Sequence, residues 1–427
     1  MTGNPFTFGN PIRDPSRFFG RQQEIRQITS RLTSSAHEST SIVGERRLGK
    51  TSLLNHLAHP EVAAGLGLSP EEYCLVYIDF QGLTDITPQR FWQRVLGKAA
   101  RGVCDLDIAA HFKEFGQRAE FDLFDLEDLF ETVSEHGLRI VLLLDEFEYV
   151  TQNPNFGSDF FGGLRALAIH HNLSLVPATR RELVDLCHSD EIKGSPFFNI
   201  FANVVLRPFS NDEVEELIHG YLDGGGVILT PDERGLIHKL GGGHPFFVQM
   251  AGYYLLDRKA QELTADRLRE SVLADFEAQA EPHCNYLWSH CSESERITLL
   301  AVLGLNRQKR SDKSKPSLMN LTRLYARAPL DVNSLHKRGL LTEQDGAYSI
   351  FSISFERWIS RELVAPEDEQ ESPASVEAWL SQGGREKLEP VKGMLPRFKK
   401  KYWPIVADVL KEISFELLTG VVVSKLL

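Results

Sequence analysis

Cysteine is scarce. Five residues (Cys74, Cys104, Cys187, Cys284 and Cys291) are scattered through 427, which excludes a disulfide scaffold and points to a reducing compartment. Long apolar runs are missing too. No segment approaches the ~20 consecutive apolar residues of a spanning helix, and the uncharged stretch Leu417 to Ser424 is far too short. The N-terminal MTGNPFTFGNPIRDPSRFFG has no basic region followed by an apolar run, so no signal peptide is expected. These absences together lead to the expectation of a cytosolic protein. A surplus of positive charge is also lacking: 47 Lys and Arg against 59 Asp and Glu give −12, which opposes non-specific nucleic-acid binding. With 42% apolar and 25% charged residues, the chain is neither disordered nor collagenous as a whole. At roughly 150 residues per domain, its length suggests two to four domains.

The charge is unevenly placed. Residues 307–327 hold seven basic side chains (Arg307, Lys309, Arg310, Lys313, Lys315, Arg323 and Arg327) against Asp312, and residues 385–401 hold seven against two acids. Two cationic patches on an acidic body suit phosphate, an acidic partner or anionic lipid, or are simply solvated faces.

Up to about residue 210, short runs rich in branched residues alternate with helical patterns. The runs are Thr40–Val43, Cys74–Asp79, Arg139–Asp145, Leu173–Ala178 and Asn203–Leu206, and the helical segments are 21–34, 50–58, 88–101, 121–136 and 157–171. This alternation predicts a parallel sheet covered on both faces, and the continuous apolar run of Ile140-Val-Leu-Leu-Leu144 suits a strand buried on both sides. From Ser210 onward helices dominate, with starts at Ser210-Asn-Asp-Glu, Thr230-Pro-Asp-Glu and after Gly241-Gly-Gly-His-Pro245; the acidic first turns and the proline at a first helical position mark them. A strand pair is expected at Gly339–Glu343 and Tyr348–Phe351, around the turn Gln344-Asp-Gly-Ala347. An acidic, proline-flanked linker (365–375) precedes a helical tail (376–427) interrupted at Pro390, Pro396 and Pro404.

The strongest chemical signal is Gly44-Glu-Arg-Arg-Leu-Gly49-Lys50-Thr51. It fits G-x-x-x-x-G-K-[ST] between a strand and a helix, the context that motif requires. Glycines let backbone N–H groups converge on phosphate oxygens, and the helix N-terminus adds favourable partial charge. Lys50 would reach the β- and γ-phosphates and Thr51 would hold Mg²⁺, with Arg47 and Ser52 as neighbouring contacts. The run ending in Asp145-Glu146 supplies the second half: Asp145 as Mg²⁺ ligand and Glu146 as the base that polarises water. Thr179 and Arg180, after the fourth strand, are candidates for sensing the γ-phosphate and neutralising developing charge. Arg46, Arg47 and Arg165 are candidates for a neighbouring subunit's nucleotide or for salt bridges. His283-Cys284 and His290-Cys291, seven apart on one helical face, lack the C-x₂₋₄-C turn of a zinc site, so buried small side chains are the better reading.

Phe19-Gly20-Arg21 with Glu24, followed in order by GERRLGKT, IVLLLDE, PATRRE and GGHP, resembles the STAND class of P-loop ATPases. These are signal-transduction ATPases within the wider AAA+ group, and the chain is most similar to their compact prokaryotic branch. The resemblance covers roughly residues 4–363. It implies an α/β P-loop NTPase core with a parallel five-stranded sheet in the order 5-1-4-3-2 (1–208), a helical lid (209–280) and a winged-helix domain (281–364). It places Phe19, Gly20 and Arg21 beside the adenine, with His244 and Pro245 approaching from the lid and Thr179-Arg180 as the sensor. The lid has no clear arginine at the usual AAA+ sensor position, and Gly243-His244-Pro245 in its place favours STAND over an AAA+ motor.

The implied activity is that of a slow, regulatory ATPase and molecular switch: closed with ADP, open and homo-oligomeric with ATP and Mg²⁺. A role in prokaryotic antiphage defence is implied by the family alone. The tail pattern Ile405, Val409, Ile413, Leu417 and Val421 behind Arg397-Phe-Lys-Lys-Lys401 gives an amphipathic helix that suits docking on the chain itself, a separate effector or sensor protein, or a membrane surface. The alternative is a DNA-binding AAA+ initiator or loader that uses the winged helix and the 307–327 patch.

Overall fold

The computed structural model describes residues 3–188, 196–307, 316–324 and 327–364. Lys309, Arg310, Lys313 and Lys315 of the basic segment, the linker, the second basic patch and the whole tail lie outside the described residues. The described chain forms two compact units. One is Phe8–Gly226; the other joins residues 3–7 to those from Val227 onward. The polypeptide therefore passes between them twice.

In the first unit, five strands form one parallel sheet: β1 (Thr40–Val43), β2 (Tyr73–Asp79), β3 (Arg139–Asp145), β4 (Leu173–Thr179) and β5 (Ala202–Val205). Their order is β2-β3-β4-β1-β5, which is the expected 5-1-4-3-2 read from the other edge. The register aligns Asp79 with Asp145 and Val43 with both Thr179 and Val205. The C-terminal ends of the strands thus finish level, which is where ligands bind in open α/β sheets.

Eight α-helices precede β5 among the described residues: α1 (Gln22–Leu32), α2 (Lys50–Leu57), α3 (Pro60–Gly65), α4 (Pro88–Gly102), α5 (Leu106–Gly116), α6 (Leu123–Glu135), α7 (Glu148–Thr151) and α8 (Ser158–His170). A ninth, α9 (Asn211–Leu222), follows it and starts in a capping box between Ser210 and Glu213. The sequence pattern predicts no helix between residues 102 and 120, yet α5 is there, capped by Asp105, with Ile108, Phe112 and Phe115 buried.

Alternate residues of the inner strands serve two different cores, as the two-residue period of a strand requires. Ile140, Leu142 and Leu144 join Phe91, Trp92, Phe112, Phe130 and Phe161 in a core rich in aromatics. Val141 and Leu143 join Ile28, Leu53, Leu54 and Leu57 in a smaller, aliphatic one. Tyr77, Leu143 and Asp145 thereby share the sheet face that α2 covers.

In the second unit the helices are α10 (Pro231–Gly241), α11 (Pro245–Lys259), α12 (Ala265–Ser289), α13 (Glu293–Arg307), α14 (Leu318–Leu324), α15 (Ala328–Lys337) and α16 (Ile353–Val364). α12 is continuous through residues 280 and 281. Strands β6 (Leu341–Gln344) and β7 (Ala347–Ile350) form an antiparallel hairpin whose turn residues Asp345 and Gly346 are both left-handed. The first described residues pack here: Phe6 is fully buried, Asn4 Nδ2 donates to Tyr253 O at 2.8 Å and Thr7 N to Gln249 Oε1 at 3.1 Å. Gly242 ends α10 at φ 53° with the Phe351 carbonyl so near that a Cβ would collide with it; two of the consecutive glycines before His244 thus have a packing reason, since Gly241 is also set close against Val248. Cys284 and Cys291 are buried, and the His283 ring meets Phe246 at a tilt, 4.3 Å between centres. No helix of the described residues is long and apolar enough to cross a membrane.

Candidate nucleotide site

The loop after β1 turns sharply into α2. Gly49 takes φ 95° as the residue before the helix, a conformation that a Cβ would oppose. Gly44 N donates to Thr179 O at 3.1 Å, which pins the start of the loop to the end of β4. Lys50, 5% exposed, folds back so that Nζ donates to Gly44 O at 2.9 Å and Glu45 O at 3.3 Å. An ammonium ion with three rotatable donors is thus held within a ring of loop backbone at a helix N-terminus, an arrangement suited to phosphate oxygens.

Asp145 ends β3 on the same sheet face and is 1% exposed. Its Oδ1 accepts the Glu146 N–H at 3.1 Å, its Oδ2 accepts the Tyr77 hydroxyl at 3.1 Å, and the Thr51 side chain favours its ionised form. Burial pushes the Asp145 carboxyl above its ordinary range, against the pull of Thr51, Tyr77 and the Lys50 charge. Burial and the Asp145 carboxylate also push the Tyr77 hydroxyl up, so it remains a protonated donor. A hydroxyl and a carboxylate on facing elements form an all-oxygen donor set that fits a hard divalent cation such as Mg²⁺.

Glu146 adopts φ 52° and is half-buried, and burial and the nearby Glu148 push its carboxyl up. Glu148 is 3% exposed; its Oε1 accepts from Arg180 Nε at 2.9 Å, while its Oε2 takes no hydrogen bond among the described residues. Arg180 is thereby drawn alongside Glu146. Among the described residues six non-glycines have left-handed backbones, and three of them, Arg21, Arg47 and Glu146, belong to this site. Such conformations cost about 1–3 kcal/mol each and gather where function fixes the backbone.

Arg21 is 3% exposed, with Nη1 on Glu24 at 3.0 Å, Nη2 on Leu48 O at 3.0 Å and its guanidinium 4.6 Å from the Phe209 ring centre, so it braces the phosphate loop. Gly20 lies against Phe209 and Glu213, and Phe19 meets Tyr221 edge-on at 5.3 Å. Arg47 Nη1 donates to Gly9 O at 3.0 Å, and Ser52 Oγ accepts from Ile12 N at 3.0 Å, so both hold the N-terminal segment to the loop. Thr179 is fully buried, and its hydroxyl donates to Arg181 O at 2.6 Å. Arg46 is exposed and Arg165 half-buried. His244 and Pro245 belong to the other compact unit, where His244 is buried with its ring near Phe247 and Phe351.

Sequence reading missed Tyr77 and Glu148. Tyr77 was discoverable: counting alternate positions back from Asp79 puts it on the face of the acid strand end. Glu148 carried no signal beyond its nearness to Asp145.

A phosphate loop after β1, its lysine and threonine beside an acid pair at the end of β3, and the order 5-1-4-3-2 define a P-loop NTPase. The family model described as novel STAND NTPase 2 matches residues 21–305. That is more than half of the chain, and the protein belongs to this STAND family. Among solved structures, the Walker-type ATPase paby2304 of Pyrococcus abyssi is similar at 15% identity and TM-score 0.54, over 82% of this chain and 98% of that one. The ORC2 protein of Aeropyrum pernix, in ADPNP–ADP complexes, is similar at 13% identity and TM-score 0.50, over 84% and 95%. At these identities the likeness is one of fold. No curated protein sequence matches.

Proposed function

We propose that the protein is an ATP-binding, slowly hydrolysing switch of the signal-transduction type, in which nucleotide state controls opening and self-assembly. The observation that carries this reading is the meeting of Lys50, Thr51, Asp145 and Glu146 at the C-terminal ends of β1 and β3, in a chain of the STAND family. Lys50 turns from its loop carbonyls to the β- and γ-phosphates. Thr51 and Asp145 hold Mg²⁺, which neutralises phosphate charge when bound. Glu146 orients and deprotonates the attacking water. Arg180 leaves Glu148 for the γ-phosphate, which couples the chemistry to the end of β4. Phe19, Gly20 and Arg21 recognise the base, and exchange of ADP for ATP shifts the balance between closed and open states. A stimulus shifts this balance only if its affinity differs between the two states. The output passes to a separate effector or sensor protein through the tail, in a prokaryotic defence setting.

The test is solution mass by light scattering on Glu146→Gln protein. A defined oligomer with ATP and Mg²⁺, and a monomer with ADP and Mg²⁺, is the expected result. The same mass with both nucleotides overturns nucleotide-controlled assembly.

A further inference from the structure

We propose that Tyr77 is a positioning residue for the metal carboxylate: its hydroxyl fixes Asp145 in the orientation that lets Thr51 and Asp145 share one divalent cation. The inference rests on the role proposed for Asp145 above.

The two oxygens of that carboxylate are anchored from different elements. Oδ1 accepts from the backbone of Glu146 and Oδ2 from Tyr77, both at 3.1 Å, and the Thr51 side chain at the start of α2 favours the ionised form of the same group. The Glu146 N–H comes from the adjoining residue and turns with the chain. Tyr77 is independent of that turn because it sits on β2, whose register with β3 is continuous from Tyr73↔Arg139 to Asp79↔Asp145. Register partners in a parallel pair face the same way, so Tyr77, two residues before Asp79, projects on the Asp145 side of the sheet.

Tyr77 is itself held. Lys98 of α4 donates through Nζ to Tyr77 O at 2.7 Å, and that ammonium lies 5.8 Å from the centre of the tyrosine ring. The phenol therefore has a fixed base as well as a fixed direction. Asp79, in register with Asp145, places a second acid at the same strand ends, and its charge works against ionisation of Asp145. A directed donor on Oδ2 keeps the carboxylate turned toward Thr51 despite that repulsion. Partners that orient metal ligands in this way typically cost about 10–100-fold in metal affinity when removed.

Tyr77→Phe keeps the ring and removes only the donor. The measurement is the affinity of the full chain for ADPNP, with EDTA and with Mg²⁺, in wild type, Tyr77→Phe and Asp145→Ala; the ratio of the two affinities is the tightening due to the metal. The expected result is that Tyr77→Phe lowers this ratio about 10-fold or more, with the EDTA affinity unchanged and Asp145→Ala lower still. If Asp145→Ala abolishes the tightening and Tyr77→Phe leaves it at the wild-type value, Tyr77 has no positioning role and the proposed metal site stands. If Tyr77→Phe weakens both affinities equally, the residue only supports the fold, and the inference fails. If neither variant changes the ratio, the role of Asp145 fails and this inference fails with it.

Discussion

Asp145 and Glu146 of the first unit have carboxyls pushed above their ordinary range, whereas Glu233 and Glu295 of the second unit have theirs held below it. Burial pushes all four upward; what differs is the company. Glu295 has Arg338 Nη1 at 3.0 Å, the Ser334 hydroxyl at 2.7 Å and the Ser292 N–H at 2.7 Å. Glu233 has Lys259 at 2.6 Å and the Thr230 N–H at 2.7 Å. These groups outweigh burial. Around Asp145 and Glu146, the Lys50 charge, hydrogen bonds to Asp145 and the charge of Arg180 do not. The lesson is that satisfied carboxylates tie helices together, while carboxylates left short of positive charge mark a place kept ready for cationic and anionic ligands.

The contrast can be broken by substitution. The largest expected effect is on turnover: Glu146→Gln should slow ATP hydrolysis by about 10²–10⁴-fold, the usual contribution of a general base, with nucleotide affinity retained. A fall of less than about 10-fold in steady-state phosphate release would remove Glu146 from that role. On the other side of the comparison, Arg338→Ala should leave nucleotide affinity alone. It should cost about 3–5 kcal/mol of stability, because a buried carboxylate loses its cation; the two side chains are only 11% and 8% exposed. A denaturant titration giving below 1 kcal/mol, the usual worth of a surface pair, would make the bridge a surface ornament.

The pH dependence sharpens the point. Burial pushes Glu295 up, but Arg338, Ser334 and the Ser292 N–H hold its folded pKa below the ordinary 4.5. Its contribution is therefore fully present above the unfolded value and lost as pH falls through the folded one. Melting curves of wild type and Arg338→Ala should converge as pH drops below about 4.5, and a gap that stays constant to lower pH would assign the loss to packing. The smallest effect is expected at Thr230, whose hydroxyl accepts from Glu233 N at 3.3 Å in a capping box: Thr230→Ala should cost about 1 kcal/mol, read as a shift in the urea midpoint.

Much of this was legible in the residues. The apolar run before Asp145 could only be an inner strand, and the spacing from Gly44 to Thr51 specified both a turn and its chemistry. The hairpin turn at Asp345-Gly346 was readable because both residues tolerate left-handed backbone. What escaped has physical reasons. α5 is only eleven residues long, and its exposed Leu106 and its polar Asp107, His111, Lys113 and Glu114 make the helical spacing of Ile108, Phe112 and Phe115 stand out less than the patterns of the longer helices beside it. The left-handed backbones of Arg21, Arg47 and Glu146 run against the local preference of those residues, so no propensity could announce them. The Tyr77–Asp145 bond joins side chains 68 positions apart and exists only once β2 and β3 are in register.

The double passage of the chain makes the Phe8–Gly226 unit a guest inserted into a host. Phe6 precedes the insertion in sequence, yet the Gly252 surface against which its ring is set belongs to the far side of the insertion. The host therefore stays unfinished until the whole nucleotide-binding guest has been made, and its closing step brings together ends that are distant in sequence. A guest that folds promptly shortens that closure, so defects in the P-loop unit are expected to appear first as late maturation of its host.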